Sequence, residues 1–186
     1  LRNASGRMAL ASALSQPGDW RHSLLALESE RLIGVTLTAC SNLMLPYWSS
    51  HYENDDNMDS VVSTMNLWAK KSTAESQKRI HVSLERVAVE FFGHMSPICP
   101  TPTGSDCPGD YAGDSIVAAA NAITEIGESD FHNRAEASLN FAVQVVVEMM
   151  VHRQPDDELT DFQTRALERL RKGIIKLLRS WNLYMQ

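Results

Sequence analysis

FHNRAEASLNFAVQVVVEMMVH, residues 131–152, decides how the chain is read. Between Phe141 and Val151 only Gln144 and Glu148 are polar. Phe141, Val143, Val145, Val146, Val147, Met149, Met150 and Val151 go almost all the way round a helical wheel. A helix apolar on nearly every side is stable only when other helices surround it. The valines would suit a strand, but this run holds no Gly or Pro and is too long for one. It is therefore expected to be the central helix of an all-α domain.

Working outward, the other segments carry helical periodicity. Downstream, Gln154-Pro155-Asp156-Asp157 break the chain, and Thr160-x-x-Gln163 reads as a capping box. Phe162, Ala166, Leu170, Ile174, Leu177, Leu178 and Trp181 then form one long stripe. Upstream, Asp114 is expected to cap a helix through Ile116, Ala119, Ala120, Ile123 and Ile126, ended by Gly127. Before it, Ser96 to Gly113 holds four prolines and three glycines in 18 residues and is expected to be a loop throughout. A loop of that length invites a functional reading.

The cleanest amphipathic pattern is Met58, Val61, Val62, Met65, Trp68 and Ala69, with Asn57 as expected cap, Asp59 in the first turn and Lys70-Lys71 at the far end. Ser72-x-x-Glu75 reads as the capping box of the next helix, whose stripe is Ile80, Leu84, Val87, Ala88 and Phe91, with Gly93 at its end. Ile33, Leu37, Cys40, Met44 and Trp48 make a stripe that runs across Pro46, which favours one kinked helix over two. Asp19 is placed to cap a helix from Trp20, and Met8 to Leu14 makes a short helix closed by Pro17-Gly18. Residues 1–7 read as an appended remnant, with Met8 as the natural start. The sum is a single domain over 1–186: about seven mostly antiparallel helices in a bundle or short α-solenoid around 131–152.

Composition narrows the function classes. The chain has 186 residues, 44% hydrophobic and 22% charged, with a net charge of −6. From Asp161 to Gln186 six basic residues stand against Asp161 and Glu168, a net +4, so the remainder carries −10. An acidic body disfavours nucleic acid and favours a basic partner. The basic C-terminal residues alternate with Leu and Ile at helical spacing and read as the wet side of a packed helix. No apolar run reaches membrane-spanning length, and no basic flank with an apolar stretch opens the chain, so neither membrane nor secretion is expected. Cys40 reads as a buried small hydrophobe; Cys99 and Cys107 are expected as thiols in a reducing, cytoplasmic setting.

No motif for catalysis is present: no Gly-x-Ser-x-Gly, no phosphate-cradling glycine loop, no His-Glu-x-x-His. Glu90…His94, Glu128…His132, His132…Glu136 and Glu148…His152 are spaced i, i+4, so each pair could share a helix face. Such pairs could serve a helical metal-dependent enzyme. They lack the Glu-x-x-His spacing of carboxylate-bridged di-metal bundles, so no metal or other cofactor is expected. A dimeric helical regulator using the C-terminal helix is the third alternative.

The candidate binding residues are acidic and aromatic. Trp48, Tyr52, Glu53, Asp55, Asp56 and Asp59 put two aromatics beside four carboxylates, and Asp106, Asp110 and Asp114 with Tyr111 form a second group. Aromatic anchors with a charged rim are what protein interfaces use. A solvated turn with Trp48 in the core is the plainer reading of the first group.

Residues 39–79 carry, in order, a helical Cys40, Leu45-Pro46, an aromatic and acidic turn (Glu53 to Asp56), a helix ending in Trp68-Ala69, and a Ser/Thr opening the next helix. In this order the segment, about a fifth of the chain, resembles a family of all-helical immunity proteins found beside bacterial polymorphic toxins. The resemblance implies a cytoplasmic protein that binds and blocks a toxin domain and has no catalysis of its own.

Overall fold

Ten consecutive residues, Leu32 to Ser41, are buried on every side of one helix. The computed structural model describes residues 4–16, 18–52, 56–93, 107–151 and 159–183. They form α1 (Ala4–Ser15), α2 (Trp20–Leu25), α3 (Glu30–His51), α4 (Asp56–Lys71), α5 (Ala74–Gly93), α6 (Pro108–Thr124), α7 (Phe131–Val151) and α8 (Leu159–Ser180), with no strand among the described residues. The all-α bundle is as expected. α1 begins at Ala4, four residues ahead of Met8.

α7 takes an inner position over its second half: no residue from Phe141 to Val151 is exposed. Its first half is one-sided, with His132, Asn133, Arg134 and Glu136 in solvent. The more deeply enclosed helix is α3, which packs against α4, α6, α7 and α8. It passes through Pro46 as one helix. The hydroxyls of Thr36 and Thr38 sit inside the apolar interior because each donates to a carbonyl one turn back, Leu32 and Gly34, at 2.9 and 3.0 Å. Those self-contained bonds satisfy both threonine hydroxyls inside the apolar interior.

α3 and α6 approach closely because glycine meets a large side chain. A Cβ on Gly113 would lie 2.5 Å from the Trp48 ring, and one on Gly109 would lie 2.7 Å from His51 Cβ. Gly34 receives Trp68 in the same way, and Gly173 on α8 receives Leu43. Between α6 and α7 the Ser115 hydroxyl donates to the Ser138 carbonyl and the Ser138 hydroxyl to the Ser115 carbonyl, both at 2.9 Å. Cys40 lies against Ser115, wholly buried, and burial pushes its thiol pKa up to about 12.

Several side chains fasten helices end to side. Trp20 Nε1 donates to the Leu167 carbonyl at 3.1 Å, tying α2 to α8. Arg171 reaches from α8 to the Leu14 carbonyl at the end of α1 at 2.9 Å, and Gln77 Nε2 donates from α5 to the Ile123 carbonyl at the end of α6 at 2.7 Å. The Leu14 and Ile123 carbonyls are among those that the last turn of a helix leaves open. Asn42 and Asn66 exchange amide hydrogen bonds at 2.8 and 3.1 Å across α3 and α4. α8 seats Phe162, Ala166, Leu170, Ile174 and Leu178 in the core, a strict i, i+4 stripe.

Five local expectations are corrected. The segment 96–113 is not all loop: α6 begins at Pro108, with Cys107 as N-cap. Proline at the first helical position costs no hydrogen bond, and the glycines that read as breakers are where the Trp48 ring and His51 press against α6. Asp114 therefore lies inside the helix, and Asp110 does the capping by accepting from the Cys107 amide at 3.1 Å. The box that opens α5 is Thr73-x-x-Ser76, not Ser72-x-x-Glu75. Ser72 is used to end α4, in left-handed backbone (φ 47°) with its amide on the Trp68 carbonyl at 2.6 Å. Asn57 and Thr160 lie within α4 and α8 rather than capping them. Asp19 caps α2 as expected, accepting from the Arg21 amide at 3.2 Å, and the Arg21 guanidinium holds its carboxyl below the usual carboxylate range.

Candidate protein-binding end

The last turn of α3 and the first turns of α6 meet at one end of the bundle, because the two helices run antiparallel with Trp48 against Gly113 and His51 against Gly109. α4 starts from the same end. Here the structure brings together two of the candidate residues that lie far apart in sequence. The Tyr52 hydroxyl donates to Asp110 Oδ1, while Oδ2 of the same carboxylate accepts from the Cys107 amide. One carboxylate thus caps α6 and receives the C-terminal residue of the neighbouring helix. The Tyr52 ring lies on Trp48, centroids 4.1 Å apart and planes at 28°.

Trp48 itself is not a surface residue. It is 1% exposed, so it supports Tyr52 from beneath and does not face a partner. This corrects its assignment to the binding set, and its physical reason is the gap that Gly113 leaves for the indole. Asp110 is half-buried and its two oxygens are engaged within the fold. Asp56 and Asp59, in the first turn of α4, are exposed, where carboxylates also favour the helix dipole. Tyr111 is half-buried and stacked on Phe141 of α7 at 6.3 Å. Glu53, Asp55 and Asp106 fall outside the described residues.

Beside Tyr111 an open groove of about 450 Å³ runs between α6 and α7. Asp114, Asn121, Asp130, Asn133 and Phe141 line it, together with Arg134. Glu125 holds Arg134 with both oxygens, at 2.9 and 2.7 Å, so the one cation among the groove's described lining residues is already neutralised. Asp130 and Phe141 are absent from the residues proposed on sequence. In the sequence Phe141 reads as core because the run that follows it is polar only at Gln144 and Glu148. In the structure it is partly exposed and stacks on Tyr111, which belongs to a segment read as loop.

Among the described residues, Glu128, His132 and Glu136 do not assemble into a site. Glu128 precedes α7, so it does not share a helix with His132; His132 and Glu136 are both exposed. His94 and His152 lie outside the described residues. Among the described residues no three His, Cys, Asp or Glu side chains are grouped to hold a metal ion. No described helix is long and apolar enough to cross a membrane.

The fold and this end together describe an all-helical bundle whose acidic and aromatic residues gather where α3, α4 and α6 meet. Comparisons with protein-family models, with curated proteins and with solved structures return no match.

Proposed function

We infer that this chain is a non-catalytic binding protein that receives a basic protein partner at the end formed by α3, α4 and α6. The observation that carries the reading is the Tyr52–Asp110 hydrogen bond. It makes one continuous surface of two acidic and aromatic segments that the sequence separates. Asp56 and Asp59 supply exposed negative charge on that surface, and Tyr52 and Tyr111 supply partly exposed rings. A protein partner with Lys and Arg would meet charge complementarity that speeds association and weakens with salt.

The more specific proposal is immunity: a cytoplasmic protein that neutralises a bacterial toxin by covering its basic working surface. It rests on the resemblance over residues 39–79 and on the sign of the charge. The test is co-expression with the protein encoded directly upstream. Rescue of growth by this chain, lost when Asp56 and Asp59 are replaced by Lys, is the expected result. Growth unaffected by the upstream protein alone, or rescue that ignores the charge reversal, would overturn the reading.

A further inference from the structure

The three large hydrophobic side chains most exposed among the described residues are Met8, Leu67 and Val82, and two of them lie on the α4–α5 hairpin, each 47% exposed. Isolated exposed hydrophobics carry no meaning. Each of these two lies on a stripe of otherwise polar and charged residues along its helix. On α4, Ser60, Thr64, Leu67 and Lys71 recur at i, i+4, i+7 and i+11. On α5, Glu75, Arg79, Val82 and Arg86 recur at the same spacing. Each set is one stripe of its helix, and residues of both line an open groove of about 470 Å³ between the two helices. Eleven residues of helix span about 16 Å, roughly three turns.

The charge along this groove is opposite to that of the protein as a whole. Lys78, Arg79 and Arg86 line it, and Glu75, the one carboxylate among its described lining residues, is engaged by Arg79 at 3.2 Å. Lys71 extends the α4 stripe at the far end. A small anion would use the cations and leave Leu67 and Val82 wet. A helix with an apolar stripe flanked by Glu and Asp would use both, and a groove between two antiparallel helices is the shape that receives a third.

We propose that the α4–α5 groove docks an acidic amphipathic helix of another protein, about three turns long. Its apolar residues cover Leu67 and Val82, and its carboxylates face Lys78 and Arg86. This surface is separate from the acidic end and does not depend on the function inferred for it.

The test uses a synthetic helical peptide with a Leu stripe flanked by Glu, followed by calorimetry and by amide chemical-shift mapping on the intact protein. A scrambled peptide of the same composition, inorganic phosphate, and vesicles of phosphatidylglycerol are the comparison probes. The expected result is binding of the designed peptide alone, with shifts along α4 and α5. Binding should weaken about tenfold, about 1.4 kcal/mol, in Lys78→Glu/Arg86→Glu and again in Leu67→Gln/Val82→Gln. It should be unchanged in Asp56→Lys. All four substituted side chains are exposed, and circular dichroism confirms that each variant folds; the shift map on the unaltered chain stands if one does not. Equal binding of the scrambled peptide, uptake by the vesicles in place of the peptide, shifts outside the hairpin, or no binding would each overturn the proposal.

Discussion

Tyr52 and Asp110 stand 58 residues apart in the chain and share one hydrogen bond, phenol to carboxylate, at the junction of α3 and α6. The bond closes the acidic end of the bundle, and the Trp48 ring beneath Tyr52 fixes where the phenol can go. Removing the hydroxyl in Tyr52→Phe should keep the stack and lose the bond. A hydrogen bond to a charged group is worth roughly 1.5–3 kcal/mol, and partial exposure here places the loss near about 1–2 kcal/mol. Asp110→Ala should cost more, because the Cys107 amide loses its acceptor as well. Urea unfolding of both variants measures the difference; equal stabilities would mean that the Tyr52 bond carries the whole effect and the cap none.

Gly113→Ala pits two effects against each other. Helix propensity alone favours Ala over Gly by about 1 kcal/mol. The added Cβ, however, would lie 2.5 Å from a Trp48 ring that is 1% exposed and has nowhere to move. Overpacking of this kind costs about 1–3 kcal/mol, so the expected net change is destabilising. A thermal melt that rises in Gly113→Ala would show that α3 and α6 are not in the close contact described.

Cys40 should be silent toward thiol reagents in the folded protein. Its thiol is buried with a pKa pushed up to about 12, against 9.0 for the free group. The folded state therefore holds this proton more tightly than the unfolded chain does. Below pH 9 that contribution is fully present, and it is lost as pH rises toward 12. The slope should approach about 1.4 kcal/mol per pH unit at most. Replacing Cys40 by Ala should flatten the dependence above pH 9, as read by urea unfolding at successive pH values. Disulfide-exchange reagents should modify Cys40 only at the rate of global unfolding.

Asp56 and Asp59 offer the cleanest separation of fold from binding. Both are exposed in the first turn of α4. Reversal to Lys removes a favourable interaction with the helix dipole, about 0.5 kcal/mol for each, which a bundle of this size tolerates. Circular dichroism should be unchanged. Association with a basic partner should slow, and its rate should become less sensitive to salt. A large loss of helicity would mean that these carboxylates serve the fold instead.

The helical class, the amphipathic face of α4, the stripe of α8, the passage of α3 through Pro46 and the Asp19 cap are all legible in the residues alone. Each depends on local periodicity or on backbone groups within a turn or two. The enclosure of α3 is not legible in this way. Thr36, Thr38 and Ser41 lower its apparent hydrophobicity, and only the neighbours around it show that the polar positions are buried too. The start of α6 is hidden for a related reason. Pro108, Gly109 and Gly113 resemble a loop until Trp48 and His51 are seen pressed against the two glycines. The candidate end is divided in the same manner: its acids and aromatics can be named from the chain, but whether Trp48 faces inward and Tyr52 reaches Asp110 is decided by contacts between helices. Periodicity reports how one helix is coloured around its axis; which side of that helix meets another, and how closely, depends on the volume of residues dozens of positions away.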